Sequence, residues 1–508
     1  MEQGGCLFHP IFFILFTPVR KSIKKIAPYL VSLFLGILYW RTLAPGLSWA
    51  NNGADGGDLI TAVVTGGVPH PTGYPTYLII ASWFLKIPFG SLAFRANVLS
   101  AVCTILAAFI VFQIVLGENG RISSALIASL SFGVFPLIWS QALIAEVNAL
   151  NGLFFVLLLF FFLARSSGSI VDLTGGIVLG LGIGNHLTTL FMLPFMFIHS
   201  PPPGKFGAMQ KAGIQAPHLL HQGWRMVRRL AGLCLGLCVY LVIPFRARSH
   251  APVNWGNAVN WGQFVWLVTG QMYAGRLEDW SIAYLYKGFQ VWSRFLLEQL
   301  SLVGILLVFV AIFLLFKPTL LYMITGWAAV VYSAFSILYY SPDSYVYLLP
   351  VLVVFSIWMG LSSAWLAGQA ARKKGFWGQL TLLSILALIG GRAILSIPAM
   401  DLSSDRTAEQ YAQDVMMSVP ENAIVIARGD EATFSLWYAC YANHQRADIT
   451  LVSQDLFVQS WYRQVLAYTY PQLSIPNSSQ IQELMASNPG RPICQTEWGM
   501  QPVVSCDR

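Results

Sequence analysis

Apolar positions along this chain come in long blocks, not at the short periods of a soluble helix or strand. Full runs fall near 27–45, 94–116, 122–140, 147–164, 172–185, 187–199, 230–245, 299–316, 319–338, 347–367 and 377–397. A helix needs about 20 apolar residues to cross a bilayer. The pattern therefore predicts an α-helical polytopic membrane protein with about 11 transmembrane helices. A shorter run at 7–17 precedes the basic cluster Arg20, Lys21, Lys24 and Lys25 and lacks a small-residue cleavage site. It reads as an interfacial or re-entrant piece, not a signal peptide. Past residue 398 the blocks shorten: apolar runs at Ala423–Ala427 and Asp448–Ser453 flank a helical stretch near 431–442. This is one βαβ-like unit, and the chain divides into a membrane part, 1–398, and a small α/β soluble domain, 399–508.

Composition sharpens the division. Only 10% of residues are charged and 56% are hydrophobic, whereas soluble domains carry about a quarter charged residues. A soluble globule and a disordered chain are both excluded. The first part holds 24 Lys/Arg against 10 Asp/Glu; the second holds 6 against 12. Basic residues mark cytoplasmic loops. Arg20 to Lys25, Arg121, Arg165, the linker 200–229 and Arg372 to Lys374 then lie inside. The segments 46–93, 141–146, the stretch near 186, 246–295, 339–346 and everything past 398 lie outside. The expected setting is a bacterial plasma membrane with the N-terminus cytoplasmic and the C-terminal domain extracytoplasmic. The basic excess is a loop signal and implies no nucleic acid. Gly176, Gly180 and Gly184 share one helix face and suit close helix packing. Cys440, Cys494 and Cys506 can supply one disulfide, its pairing open.

In so acid-poor a body each carboxylate is informative, because an ionised one at mid-bilayer costs about 2.5–3.5 kcal/mol. Asp55, Asp58, Glu146 and Asp343 all map to the outer ends of spans, and so does His186. A bundle can gather them round one cavity. The densest segment runs Asn51-Asn52-Gly53-Ala54-Asp55-Gly56-Gly57-Asp58, followed by His70-Pro71-Thr72-Gly73-Tyr74-Pro75. The flanking glycines would let backbone approach a ligand. Asp58, opening the run 59–66, also suits a helix N-cap, whereas no helix is expected directly after Asp55. Glu146 also suits a helix start, His70 a rigid turn and His186 a packing role. Arg246 and Arg248, ahead of Asn254 and Trp255, either snorkel or grip a lipid phosphate.

These blocks resemble the protein O-mannosyltransferase-like family of multispan proteins. The likeness rests on Asp55-Gly-Gly-Asp58-Leu-Ile, His70 to Pro75, Phe94 to Ser100, Ala145-Glu146-Val-Asn148, Gly184-Asn-His186-Leu-Thr188, Pro244-Phe-Arg246 with Asn254-Trp255-Gly256, Gln271-Met-Tyr273 and Gly429 to Phe434. The sequence departs from the usual pattern with Asp58 for Glu, Thr72 for Pro and Asn148 for Tyr. The resemblance implies a C-type glycosyltransferase fold and transfer of a sugar, mannose or similar, from a polyprenyl-phosphate donor to an extracytoplasmic protein or glycan. It implies Asp55 as catalytic base, with Asp58 the neighbouring candidate.

Chemistry agrees with that implication. A carboxylate must take the acceptor proton, and a departing phosphate needs cationic stabilisation, for which Arg246, or Arg248, is the expected clamp. Glu146 and His186 would position hydroxyls, with His70, Tyr74, Asn254, Trp255 and Asp343 as further binding candidates. No cofactor is expected. A divalent metal between Asp58 and Glu146 is disfavoured, because a lipid-phosphate donor lacks the pyrophosphate that usually demands one. The alternatives are a lipid-linked-sugar flippase, which would place its acids near the midplane, and a non-catalytic scaffold.

Overall fold

The structure is a computed structural model describing residues 9–164, 168–198, 216–277, 281–339, 341–372 and 374–507. Glu2, Cys6, Arg165, Lys205, Lys211, Glu278, Asp279 and Lys373 lie outside the described residues, as do the side chains of Arg20 and Lys21. Helix α1 (His9–Thr42) runs unbroken, so the piece expected at 7–17 continues from residue 9 into the first apolar run. Among the described residues six helices are long and apolar enough to cross a membrane: Leu92–Asn119, Gly223–Ala247, Ile282–Leu315, Leu320–Leu338, Ser344–Ala371 and Gly375–Met400. A seventh is Ile122–Val134 with Pro136–Ala142, bent by 64° where proline interrupts the hydrogen-bond ladder. Three other expected spans appear as apolar helices of 16, 17 and 11 residues, Asn148–Leu163, Ser169–Asn185 and Leu187–Phe197. Each is shorter than the roughly 20 residues a straight crossing takes.

The elements that connect the first two long helices are short. Between α1 and Leu92–Asn119 lie helix α2 (Gly56–Thr65) and the helix Pro75–Phe84. Gly66, at φ 73°, stops α2 in the left-handed conformation that glycine adopts without cost. Ser91 starts the next long helix by accepting the Phe94 N–H.

Helices α3 (Ser169–Asn185) and α4 (Ala216–Leu237) cross backbone to backbone. A Cβ on Gly176 would sit 2.1 Å from the Arg229 carbonyl oxygen, and one on Gly180 2.6 Å from that of Leu233. From the other side, Gly232 and Gly236 would meet Leu173 and Ile177 at 2.2 and 2.5 Å. The expected glycine face is thus matched by a second one. Beside it, buried Asp172 holds Arg225 at 3.0 Å, Arg229 at 3.1 Å and Arg228 at 3.4 Å. Arg225 and Arg229 are buried in this cluster, so two cations counted as loop charges serve helix packing. Gly180→Ala is expected to destabilise the protein by about 1–3 kcal/mol through overpacking. Gly390→Ala, on a helix face with nothing within 4 Å, should not. Equal melting temperatures of the two variants in detergent would refute this.

Beyond residue 400 a four-stranded sheet forms in the order β2-β1-β3-β4, from β1 (Ile424–Arg428), β2 (Thr450–Ser453), β3 (Ile493–Glu497) and β4 (Ser505–Asp507). Helix α5 (Asp430–Trp437) links β1 to its parallel neighbour β2, as expected. Strands β3 and β4 were not legible, and the disulfide Cys494–Cys506 joins them, while Cys440 stays free. This unit docks on the end of α1, the loop that follows it and the loop at Asn254. Leu47 N–H donates to Glu409 at 3.3 Å, Trp49 Nε1 to Ser435 at 2.9 Å, Asn254 Nδ2 to the Tyr468 hydroxyl at 3.0 Å and Leu402 N–H to the Thr42 carbonyl at 3.0 Å.

Candidate active site

Asn51 and Asn52 both adopt left-handed backbone, φ 58° and 62°, a conformation asparagine tolerates better than most residues. This turn brings Asp55 directly to the start of α2, so a helix does begin after it. Asp55 occupies the cap position without making a side-chain cap bond. The glycines that follow are required by protein, not ligand. A Cβ on Gly56 would lie 3.0 Å from the Ala145 carbonyl oxygen, and one on Gly57 2.4 Å from that of Phe434.

Asp58, in the first turn of α2, has a fully buried side chain. Its Oδ2 accepts the His70 backbone N–H at 2.9 Å and faces His70 Nδ1 at 2.7 Å; its Oδ1 accepts Trp255 Nε1–H at 3.0 Å. Trp255 reaches it because residue 68 pairs with this loop: Val68 N–H donates to the Val253 carbonyl at 2.9 Å and Trp255 N–H to that of Val68 at 3.0 Å. The far side of the His70 ring meets the Tyr74 hydroxyl at 3.0 Å and Asp55 Oδ2 at 3.5 Å. The Asp55 side chain stays 39% exposed. The three residues form a line: buried carboxylate, imidazole, open carboxylate.

Asp55, His70, Tyr74, Glu146, His186 and Asp343 share the wall of one cavity of about 60 Å³. Asn51, Asn52, Gln141, Asn148 and Tyr347, which the sequence reading did not nominate, complete the polar lining. Glu146 is 5% exposed; Oε2 accepts the Val147 N–H at 3.2 Å and Oε1 has no partner. His186 Nδ1 accepts the Thr188 N–H at 3.3 Å, and the ring lies against Tyr347. That fixes Nε2 as the nitrogen left to donate.

Electrostatics follows from burial and from this grouping of acids. Burial pushes the Asp55 carboxyl above the usual carboxylate range; His70 opposes this, while Asp58, Asp343 and Glu431 add to it. Burial, then Asp55, holds Glu146 well above its ordinary value. Burial alone would lower His70, but Asp55 and Asp58 together lift it to about 10. Burial, helped by cationic His70, drops His186 to about 4, so it is neutral at physiological pH. Burial and Asp55 raise Asp430, at the start of α5, to about 6.

The remaining candidates fall elsewhere. Arg246 is tied by Nη1 to the carbonyls of Ala62 and Gly67, at 3.0 and 3.2 Å. It closes the C-terminal end of α2 and does not line the cavity. Arg248 is exposed and reaches only its own helix, at the Pro244 carbonyl. Asn254 holds the Ala247 carbonyl and Tyr468. Arg276 approaches the cavity wall through Ser341, to which it donates at 3.0 Å, and lies over the rings of Tyr273 and Tyr339. Ser341 in turn hydrogen-bonds Asp343. The one sequence hint was that Arg276 closely follows Tyr273. Among the described residues no three His, Cys, Asp or Glu side chains form a group able to hold a metal ion.

Two family models match the chain: the protein O-mannosyl-transferase TMEM260 N-terminal domain over residues 55–200, and TMEM260-associated domain 2 over residues 408–489. The protein O-mannosyl-transferase TMEM260 of Mus musculus is 26% identical over 455 residues, covering 84% of this chain and 62% of that protein. Its namesake in Dictyostelium discoideum is 21% identical, covering 90% of this chain and 60% of the relative. The chain thus spans about three fifths of the length of these relatives. Among solved structures, ArnT from Cupriavidus metallidurans bound to undecaprenyl phosphate superposes with a TM-score of 0.57 at 12% identity, over 92% of each chain. The apo form gives 0.53. The resemblance to the O-mannosyltransferase-like family therefore holds on both sides of residue 400. The fold is that of ArnT, with six helices among the described residues long and apolar enough to cross a membrane.

Proposed function

We propose that this chain is an integral-membrane glycosyltransferase that moves mannose, or a similar hexose, from a polyprenyl-phosphate carrier to a hydroxyl of a protein or glycan on the extracytoplasmic or lumenal face. The observation that carries the reading is the line Asp58–His70–Asp55 opening into a cavity lined by hydroxyl-binding groups. The Asp55 carboxylate takes the acceptor proton as the acceptor oxygen bonds to the anomeric carbon. The bond from that carbon to the phosphate oxygen breaks, and polyprenyl phosphate leaves as an anion needing no protonation. His186 Nε2–H and Glu146 orient sugar hydroxyls, and Arg276 replaces Arg246 as the cation offered to the phosphate. A divalent metal has no part in this scheme. The membrane orientation of the sequence reading, with everything beyond 398 outside, is supported by the disulfide Cys494–Cys506, since such bonds persist in oxidising compartments. Both curated relatives are eukaryotic, so a lumenal membrane suits the outer face as well as a bacterial one.

The test is purified full-length protein in detergent, given labelled polyprenyl-phosphate mannose and a Ser/Thr-rich peptide. Label should pass to the peptide. Movement of the lipid across proteoliposomes with no transfer to any acceptor would replace this reading with a flippase. In the same assay Arg276→Ala should raise KM for the lipid donor about tenfold or more, the scale of a lost charge-assisted hydrogen bond. Arg248→Ala should leave it unchanged. The opposite ranking would restore the clamp expected from sequence.

A further inference from the structure

We propose that Asp58 is a positioning residue, never the base: it holds His70 as an imidazolium against Asp55, and Trp255 ties this arrangement to the C-terminal unit. The inference rests on the proposed transferase reading for its catalytic meaning, but its structural content stands apart. Asp58 cannot serve as base, because its side chain is fully buried and both oxygens already accept protein N–H groups.

The protonation of His70 follows from hydrogen-bond accounting. Nδ1 faces a carboxylate at 2.7 Å, so it must carry a proton. On the other side, the Tyr74 hydroxyl lies 3.1 Å from the Pro71 carbonyl and 3.0 Å from Nε2, and in the proposed arrangement its one hydrogen goes to the carbonyl. It then accepts from Nε2, whose next neighbour, Asp55 Oδ2, is also an acceptor. In this arrangement both nitrogens donate, which only the cation does. The titratable groups around this ring are Asp55, Asp58, Tyr74, Glu146, His186 and Asp430. The acids favour the cation and His186 stays neutral, so their balance points the same way.

The consequence for Asp55 is direct. Burial and three other acids push its proton affinity up, and His70 pulls it down. An imidazolium fixed by Asp58 keeps Asp55 ionised and able to accept a proton. Trp255 carries the link outward: its indole N–H binds Asp58, and its ring lies 5.5 Å from that of Trp461 and 6.2 Å from that of Phe434. The unit beyond residue 400 thereby sets the geometry of a site to which its own side chains need contribute no chemistry.

The experiment is nitrogen NMR of the full-length protein, labelled at histidine with ¹⁵N and held in nanodiscs, with His70 assigned by the signals lost in His70→Gln. In wild type both ring nitrogens should be protonated at pH 7 and remain so to pH 8. In Asp58→Asn the titration midpoint should fall by about one pH unit or more, and kcat should drop with KM little changed. A neutral His70 at pH 7 in wild type, or an unmoved midpoint in Asp58→Asn, would overturn the proposal. The wild-type spectrum decides even if that variant does not fold. Transfer missing in wild type alongside the expected spectra would count against the transferase reading and leave the role of Asp58 standing.

Discussion

Asp55→Asn is expected to reduce sugar transfer at least a hundredfold while the protein still folds and binds its lipid donor. The change is isosteric, and Asp55 makes no cap bond and keeps a part-exposed side chain, so little packing depends on it. What is lost is the capacity to take a proton, an effect of about 10² to 10⁴ in rate for a positioned general base. The pH profile gives an independent check. On the proposed mechanism only the ionised form works, so the rate should fall as pH drops through the Asp55 pKa. Burial and neighbouring acids hold that pKa above the usual carboxylate range, and the acid limb should lie correspondingly high. Single-turnover transfer measured from pH 4 to 8 tests both points. Turnover of Asp55→Asn within threefold of wild type would remove Asp55 from the mechanism.

The acids of the site were legible because the membrane body has so few. Alternating the loops from Lys and Arg put Asp55, Glu146, Asp343 and His186 at one level, and the structure sets all four around one cavity. The arginines were not legible, for a physical reason. Arg246 follows its span on the side that the loop charges assign as outer, yet the C-terminal end of α2 offers unpaired carbonyls, and those of Ala62 and Gly67 take its guanidinium. Arg225 and Arg229 look like loop charges until the fold buries them around Asp172. Periodicity also could not fix helix lengths: Asn148–Leu163 and Ser169–Asn185 are apolar helices of only 16 and 17 residues. The strands β3 and β4 escaped because their burial is mixed, with polar Gln495 and Glu497 exposed in β3 and only Cys494 and Thr496 fully inside.

Gly57→Val should do severe structural damage at the seam between α2 and α5. The glycine lies in the first turn of α2, where its missing side chain lets the backbone of Phe434 in α5 approach. A Cβ there would stand 2.4 Å from the Phe434 carbonyl oxygen and 2.7 Å from its carbon. Backbone atoms cannot swing aside as a side-chain tip can, so the seam itself must open. Overpacking of this kind costs about 3 kcal/mol or more when the neighbour is rigid. The damage would not stay local, because Asp58 is the next residue and Trp255 packs on Phe434. Opening the seam by even part of an ångström moves the residues that orient His70. The expected result is a lower melting temperature, faster proteolytic release of the segment beyond residue 400, and transfer reduced nearly as far as in Asp55→Asn. Gly57→Ala should show the same losses in weaker form, since it adds the clashing atom without the two methyls. A Gly57→Val protein with wild-type melting and wild-type transfer would show that the C-terminal unit is not what holds the site in place.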